Sequence, residues 1–287
     1  MNYEQISIIQ DAKDYHAEAG NGIDDGKYLG SHILIEYIQN QKLWKRKYLD
    51  HAIEFKESDA LKKGTAIHRC VLEKGADFVK DYTVGYPTHE VKGVLQEYGA
   101  DTKFVKEWML TLPKDKPFIS NQEMADILKI NEIVKAHPEA NSMIKFGLCE
   151  RTVKAKYEGI DCHIRIDCFS AEYGICDLKK TRSMSGFLRD ADKYGYWIQA
   201  GFYSKILEIA TGLKFKFNWI VAEDVEPFEV CVFELDSSHL EYAQRLVESA
   251  ILEFKESIKN NSFLTGREGI NCATWWRAET EEGNISI

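Results

Sequence analysis

The sequence is sparing with the features that would assign it most quickly. It holds 5 prolines in 287 residues and no low-complexity tract, which leaves out collagen-like and linker-dominated chains. Its apolar runs are a few residues long, far from the roughly 20 needed to cross a membrane, so no membrane association is expected. The segment MNYEQISIIQDAKDYHAEAG sets no basic stretch ahead of an apolar one, so no secretory signal is expected and the cytoplasm is the expected location. Seven cysteines (Cys70, Cys149, Cys162, Cys168, Cys176, Cys231, Cys272) form no CxxC pair. The zinc and iron–sulfur spacings are therefore missing, and the odd number reads as reduced thiols. Neither a Walker P-loop nor a GxGxxG turn is present, which removes the common nucleotide-binding signatures. Positive charge is also in deficit: the net charge is -9. A protein coated with nucleic acid is disfavoured, although a confined basic channel is compatible with KLWKRKYL (42–49) and DLKKTR (177–182).

What is present is an ordinary globular composition, 44% apolar and 29% charged, in a chain long enough to bury a core. No repeat or Pro/Gly/Ser-rich linker divides it, so a single domain over 1–287 is expected. Its mainly helical part would span 1–140 and its core of sheet and helices 149–260. GSHILIEYIQNQKLWKRKYL reads as a helix with Ser31 at its N-cap, and SDALKKGTAIHRCVLEKG as a second, capped by Ser58 and closing near Gly75. Residues 81–118 are poorly periodic and read as loops or short pieces arching over a site. NQEMADILKINEIVKAHPEA is a helix interrupted at His137–Pro138. The period then changes. ERTVKAKY, IDCHIRIDCF and YGICDLKK read as a three-strand meander. A helix through YWIQAGFYSKILEIA follows, then two strands and a closing helix near 237–260. This order predicts an α/β (α+β) fold with a mixed central sheet flanked by helices.

The charged residues of the meander carry the chemistry. Period-2 alternation puts His163, Arg165 and Asp167 on one face, with Cys162, Ile164, Ile166 and Cys168 on the other. On the next strand Asp177 and Lys179 share a face, and the short turn between the strands brings Asp167 near both. Converging carboxylates repel unless one keeps its proton. A Mg²⁺ ion would remove that conflict, and Lys179 would lie beside the attacking water and the phosphate of a phosphodiester. The competing possibility is a surface hairpin whose Asp–Lys pair contributes under about 1 kcal/mol. His68 lies on the core stripe of its helix, as a satisfied core histidine or a metal ligand. Gln199 and Tyr203, four apart on the helix after the strands, point the same way: either toward a phosphate and the surroundings of Lys179, or simply into packing.

GTAIHRCVLE, RIDCF, DLKKT and YWIQAGFYSKIL occur in the order and rough spacing of the RecB-like branch of the PD-(D/E)XK nucleases. The chain most resembles the nuclease domain of RecE-type exonucleases (exonuclease VIII), from YLGSHILIEYI to about residue 235. The resemblance implies a restriction-endonuclease-like core. It implies that His68, Asp167, Asp177 and the Leu178 carbonyl bind Mg²⁺, with Mn²⁺ as a substitute, and that Lys179 is the catalytic lysine. Gln199 and Tyr203 match a Q-x3-Y element behind the site, and Glu150 resembles an acidic position near it. Where the family has Thr directly after the motif lysine, this chain has Lys180, with Thr181 one place later; strand alternation selects Lys179. The implied activity is processive 5′-to-3′ degradation of linear double-stranded DNA, leaving 3′ single-stranded tails. The implied setting is a bacterial, phage or prophage-encoded homo-oligomeric ring acting at duplex ends with a RecT-like annealing protein in recombination. An endonuclease or single-strand nuclease of the same fold, and an inactive DNA-binding module, are the alternatives.

Overall fold

The computed structural model describes residues 8–9, 12–23, 25–54, 58–113 and 115–264; Cys272 lies outside them. Among the described residues the strands are β1 (Ile8–Ile9), β2 (Thr83–Val84), β3 (Thr88–Val91), β4 (Val94–Glu97), β5 (Phe118–Ile119), β6 (Leu148–Tyr157), β7 (Ile160–Ser170), β8 (Gly174–Thr181), β9 (Phe217–Glu223) and β10 (Val230–Glu234). The α-helices are α1 (Ala12–Ala17), α2 (Ser31–Gln39), α3 (Gln41–Tyr48), α4 (Asp59–His68), α5 (Lys103–Met109), α6 (Asn121–Ala136), α7 (Pro138–Lys145), α8 (Phe187–Tyr194), α9 (Tyr196–Thr211) and α10 (Ser237–Asn260). The main sheet runs in the order β1-β6-β7-β8-β9-β10. Its neighbours are antiparallel except β8 and β9, which run parallel and are joined through α8 and α9. The fold is a mixed α/β core.

Each face of the sheet is closed by its own apolar cluster. On one side Tyr37, Trp44, Phe202, Leu207, Ile251 and Phe254 from α2, α3, α9 and α10 pack on Val153, Ile164 and Ile166. On the other, Ile67, Ile127, Ile130, Val134 and Met143 from α4, α6 and α7 pack on Cys168, Cys176, Leu178 and Ile220. β9 is buried along its whole length, as a strand covered on both faces must be. No helix among the described residues is long and apolar enough to span a membrane.

Local chemistry explains most boundaries. Ser58 caps α4, its side chain accepting from the Leu61 N–H. Ser120 and Glu123 form a capping box on α6. His137 ends α6 and caps α7, its Nδ1 accepting from the Ala140 N–H at 3.3 Å ahead of Pro138 at the first turn. Gly195, at φ 70°, separates α8 from α9, and a Cβ there would approach Ile35 Cγ2 to 3.0 Å.

One expectation is corrected. The first helix is two helices, and Ser31 is not the N-cap: Gly30 is, without a side-chain cap. Asn40 breaks the helix in extended conformation, and its side chain accepts from the Leu43 N–H to start α3. Apolar spacing missed this break because Tyr37 and Trp44 enter the same core on either side of it. Residues 81–118 are short pieces, as expected: β2 pairs with β5, β3 with β4, and α5 is capped by Thr102.

Candidate active site

The site forms where β7 and β8 part. They pair through Cys168↔Cys176, Phe169↔Ile175 and Ser170↔Gly174 and then separate. Beyond that point the Leu178 N–H donates to the Asp167 carboxylate at 2.7 Å. A strand amide that has lost its ladder partner is thus satisfied by a side chain.

β8 keeps strict alternation. Asp177 and Lys179 point toward α9, where they form an ion pair, and the ammonium lies 4.8 Å from the Tyr196 ring centre. Gln199 donates its amide to Asp177 Oδ1 at 3.3 Å, and the buried Tyr203 lies one turn along α9 beside Gln199. Gln199 therefore braces Asp177 from behind. Lys180 points the other way and meets Asp224 at 3.2 Å.

β7 departs from its expected pattern. Ile164 and Ile166 enter the cluster under α9, but Cys168 enters the one under α7, so alternation breaks at Asp167. Glu150 on β6 lies opposite, between the pairs Cys149↔Cys168 and Arg151↔Ile166, with φ at 55°. This left-handed residue, uncommon outside glycine, turns its carboxylate toward the gap. Arg165 Nε donates to Glu150, and Arg165 Nη2 stands 4.0 Å from Glu73.

His68 reaches the gap from the last residue of α4, where the chain passes into a π-helical turn at Arg69–Lys74. Such turns recur at functional sites. Its Nε2 lies 3.0 Å from the Leu178 carbonyl oxygen and its Nδ1 3.5 Å from Asp167 Oδ2. One donor atom each from His68, Glu150 and Asp167 lies within 4.8 Å of the others. Two carboxylate oxygens and an imidazole nitrogen at that spacing, with the Leu178 carbonyl at the edge, fit a divalent cation. Of the candidate carboxylates, it is Glu150 rather than Asp177 that closes this three-donor group. Asp177 stands beside it, bound to Lys179 and Gln199.

Electrostatics sharpen the picture. Burial, then the neighbouring Asp167, pushes the Glu150 carboxyl up to about 7, with Arg165 pulling the other way. Burial and then Asp177 raise Asp167 as well. Burial followed by Lys179 lowers His68, keeping the imidazole neutral with a lone pair free for a cation. For Lys179, burial opposes the charge, but Asp177 and Asp167 outweigh it and hold the ammonium above the ordinary lysine range. Both carboxyls are thus raised toward the neutral range, where a bound cation would compete with protons for them.

Strand alternation puts Arg165 on the Asp167 face without giving it a role, and nothing in the sequence pattern singles out Tyr196. The available signal was an arginine two residues before a strand carboxylate. Glu150 lies fifteen residues upstream of its arginine, and no spacing rule joins them before β6 and β7 are paired.

Among solved structures, one from Eubacterium rectale described as a "Putative exonuclease" superposes at TM-score 0.60 with 15% identity, covering 93% of this chain and 96% of that one. At that identity it shows a shared fold. A second, SSO0001, aligns at TM-score 0.27 and 11% identity over 83% of this chain and 93% of its own, too weakly to carry an argument. No curated protein matches in sequence. The family model for a PDDEXK-like domain of unknown function, DUF3799, matches residues 40–273, which include His68, Glu150, Asp167, Asp177 and Lys179; the chain belongs to that family.

Proposed function

We propose that this protein is a metal-dependent deoxyribonuclease. The observation that carries it is the three-donor group His68, Glu150 and Asp167 beside the Asp177–Lys179 pair, in a PDDEXK-like fold. A bound divalent cation would polarise the scissile phosphate and acidify a water. His68, Glu150 and Asp167, with the Leu178 carbonyl, would hold it. Asp177 fixes the Lys179 ammonium, which orients the attacking water and offsets charge accumulating on the phosphate. Gln199 locks Asp177, and Tyr203 lies beside Gln199. Arg165 keeps Glu150 turned toward the gap.

The finer reading rests on the RecE-like sequence resemblance. It is a processive exonuclease, dependent on Mg²⁺ with Mn²⁺ as substitute, that resects the 5′ strand of linear double-stranded DNA. The 3′ tails would pass to a RecT-like annealing protein in phage-type recombination. A homo-oligomeric ring enclosing the duplex would supply processivity, in the cytoplasm of a host carrying a phage or prophage.

The test is digestion of a linear duplex labelled at one 5′ or one 3′ end, with Mg²⁺ or with EDTA, beside closed circular DNA. Early release of 5′ label with intact circles supports the exonuclease and its polarity. Nicked circles move the assignment to an endonuclease. No Mg²⁺-dependent loss leaves a DNA-binding module on a nuclease fold.

A further inference from the structure

Three cysteines stand in one cross-strand row beneath the site. Cys149, Cys168 and Cys176 are direct partners in β6, β7 and β8, and each is the chain neighbour of a site carboxylate: Glu150, Asp167 and Asp177. We propose that Cys149 and Cys168 are a peroxide-sensitive dithiol that closes to a disulfide across β6 and β7 and disables the metal site above it.

Geometry selects this pair. Directly opposed residues on antiparallel strands place their Cα atoms within the span a disulfide requires. Both thiols reach the Ile144 carbonyl, Cys149 at 3.7 Å and Cys168 at 3.9 Å. Cys168 also donates to the Met143 carbonyl at 3.4 Å. Reduced, the Cys168 thiol thus satisfies the Met143 carbonyl, and both sulfurs border the Ile144 carbonyl, which also accepts from the Gly147 N–H at 3.3 Å. Gly147 keeps that space open: a Cβ there would lie 2.3 Å from Cys168 Sγ. Cys176 is buried, and its thiol turns toward Gly174 of its own strand. Cys149 is half-buried, while Cys168 is buried, so an oxidant meets Cys149 first.

The chemistry balances. Hydrogen peroxide oxidises the Cys149 thiol to a sulfenic acid as the O–O bond breaks and one water leaves. The Cys168 sulfur then attacks the sulfenic sulfur. The S–S bond forms, the S–O bond breaks, and oxygen departs as a second water carrying the Cys168 proton. Two thiols supply the two electrons that reduce one peroxide. Opposed Cβ atoms lie about 4.5–5.5 Å apart on a sheet and about 3.8 Å apart in a disulfide. Closure therefore draws β6 and β7 together one residue from Glu150 and Asp167 and removes the thiol donor from the Met143 carbonyl. The modification stands on this geometry alone; its effect on cleavage rests on the nuclease function proposed above.

The experiment treats full-length, metal-free protein with hydrogen peroxide, blocks residual thiols and maps linked peptides by mass spectrometry. Mg²⁺ affinity by calorimetry and cleavage of linear duplex are read on the same samples. A Cys149–Cys168 link is expected, with Mg²⁺ affinity and cleavage each falling roughly 100-fold and both restored by dithiothreitol. Cys149→Ser and Cys168→Ser should each keep cleavage under peroxide. A Cys168–Cys176 link, Cys149 over-oxidised with Cys168 still free, or a disulfide that leaves Mg²⁺ affinity unchanged would each overturn the proposal. A protein that forms the link and loses Mg²⁺ affinity, yet never cleaves DNA when reduced, overturns the nuclease function and leaves the dithiol standing.

Discussion

Lys179 and Lys180 are adjacent on one strand, both paired with an aspartate, and opposite in consequence. Toward α4, Lys180 joins Asp224 at 3.2 Å, and Lys63 joins Asp224 at 3.5 Å and Asp126 at 3.6 Å. Two cations meet two carboxylates there, and the network ties α4, α6, β8 and the end of β9 together. Around Lys179 the balance fails. Glu150, Asp167 and Asp177 face Arg165 and Lys179, before Glu73 is counted. Buried ion pairs alone therefore do not mark chemistry in this protein. A surplus of converging carboxylates does, because it calls for a cation that the chain does not supply.

That contrast can be broken experimentally. The largest effect should come from Lys179→Ala, which is expected to slow cleavage roughly 1000-fold while Mg²⁺ binding by calorimetry persists. Lys180→Ala should change cleavage less than threefold and stability by about 1 kcal/mol. Equal losses in the two variants would erase the distinction between the faces. Next, Asp224→Ala leaves Lys63 and Lys180 without their shared partner and should cost about 3 kcal/mol in urea unfolding, with cleavage at low temperature preserved. A stability change near zero would show that this network is solvated.

Metal affinity should follow pH with a defined sign. Glu150, pushed up to about 7, and Asp167, also raised, take up protons with falling pH that a cation must displace. Affinity should therefore fall as pH drops from about 8 to about 6, by roughly tenfold over that range for each proton displaced. Calorimetry in buffers of different ionisation enthalpy counts those protons. A flat profile would mean that the carboxylates are already ionised in the metal-free protein. The smallest effect should come from Tyr203→Phe, which removes only the hydroxyl behind Gln199 and should slow cleavage roughly fivefold with Mg²⁺ affinity unchanged.

Much of this was legible in the chain. The Asp177-x-Lys179 spacing put both side chains on one face because strand alternation is local. Ser58, Gly75 and His137–Pro138 marked helix ends because caps and turn residues act over three or four positions. The break at Asn40 was hidden because a capping side chain and a continuing apolar stripe coexist there. Local sequence could not show that alternation fails at Asp167, because the failure lies opposite Glu150, at a positive φ on the neighbouring strand.

The sequence by itself determined the mixed α/β order and the shared face of Asp177 and Lys179, since each depends on period, capping or spacing over a few residues. Only the tertiary structure decided that Glu150 completes the donor group with His68 and Asp167 and that Arg165 holds it there. It alone set three thiols in one row beneath the carboxylates and neutralised Lys180 against Asp224. Those contacts join residues far apart in the chain, and their energies come into play only once β6, β7, β8 and α4 have packed.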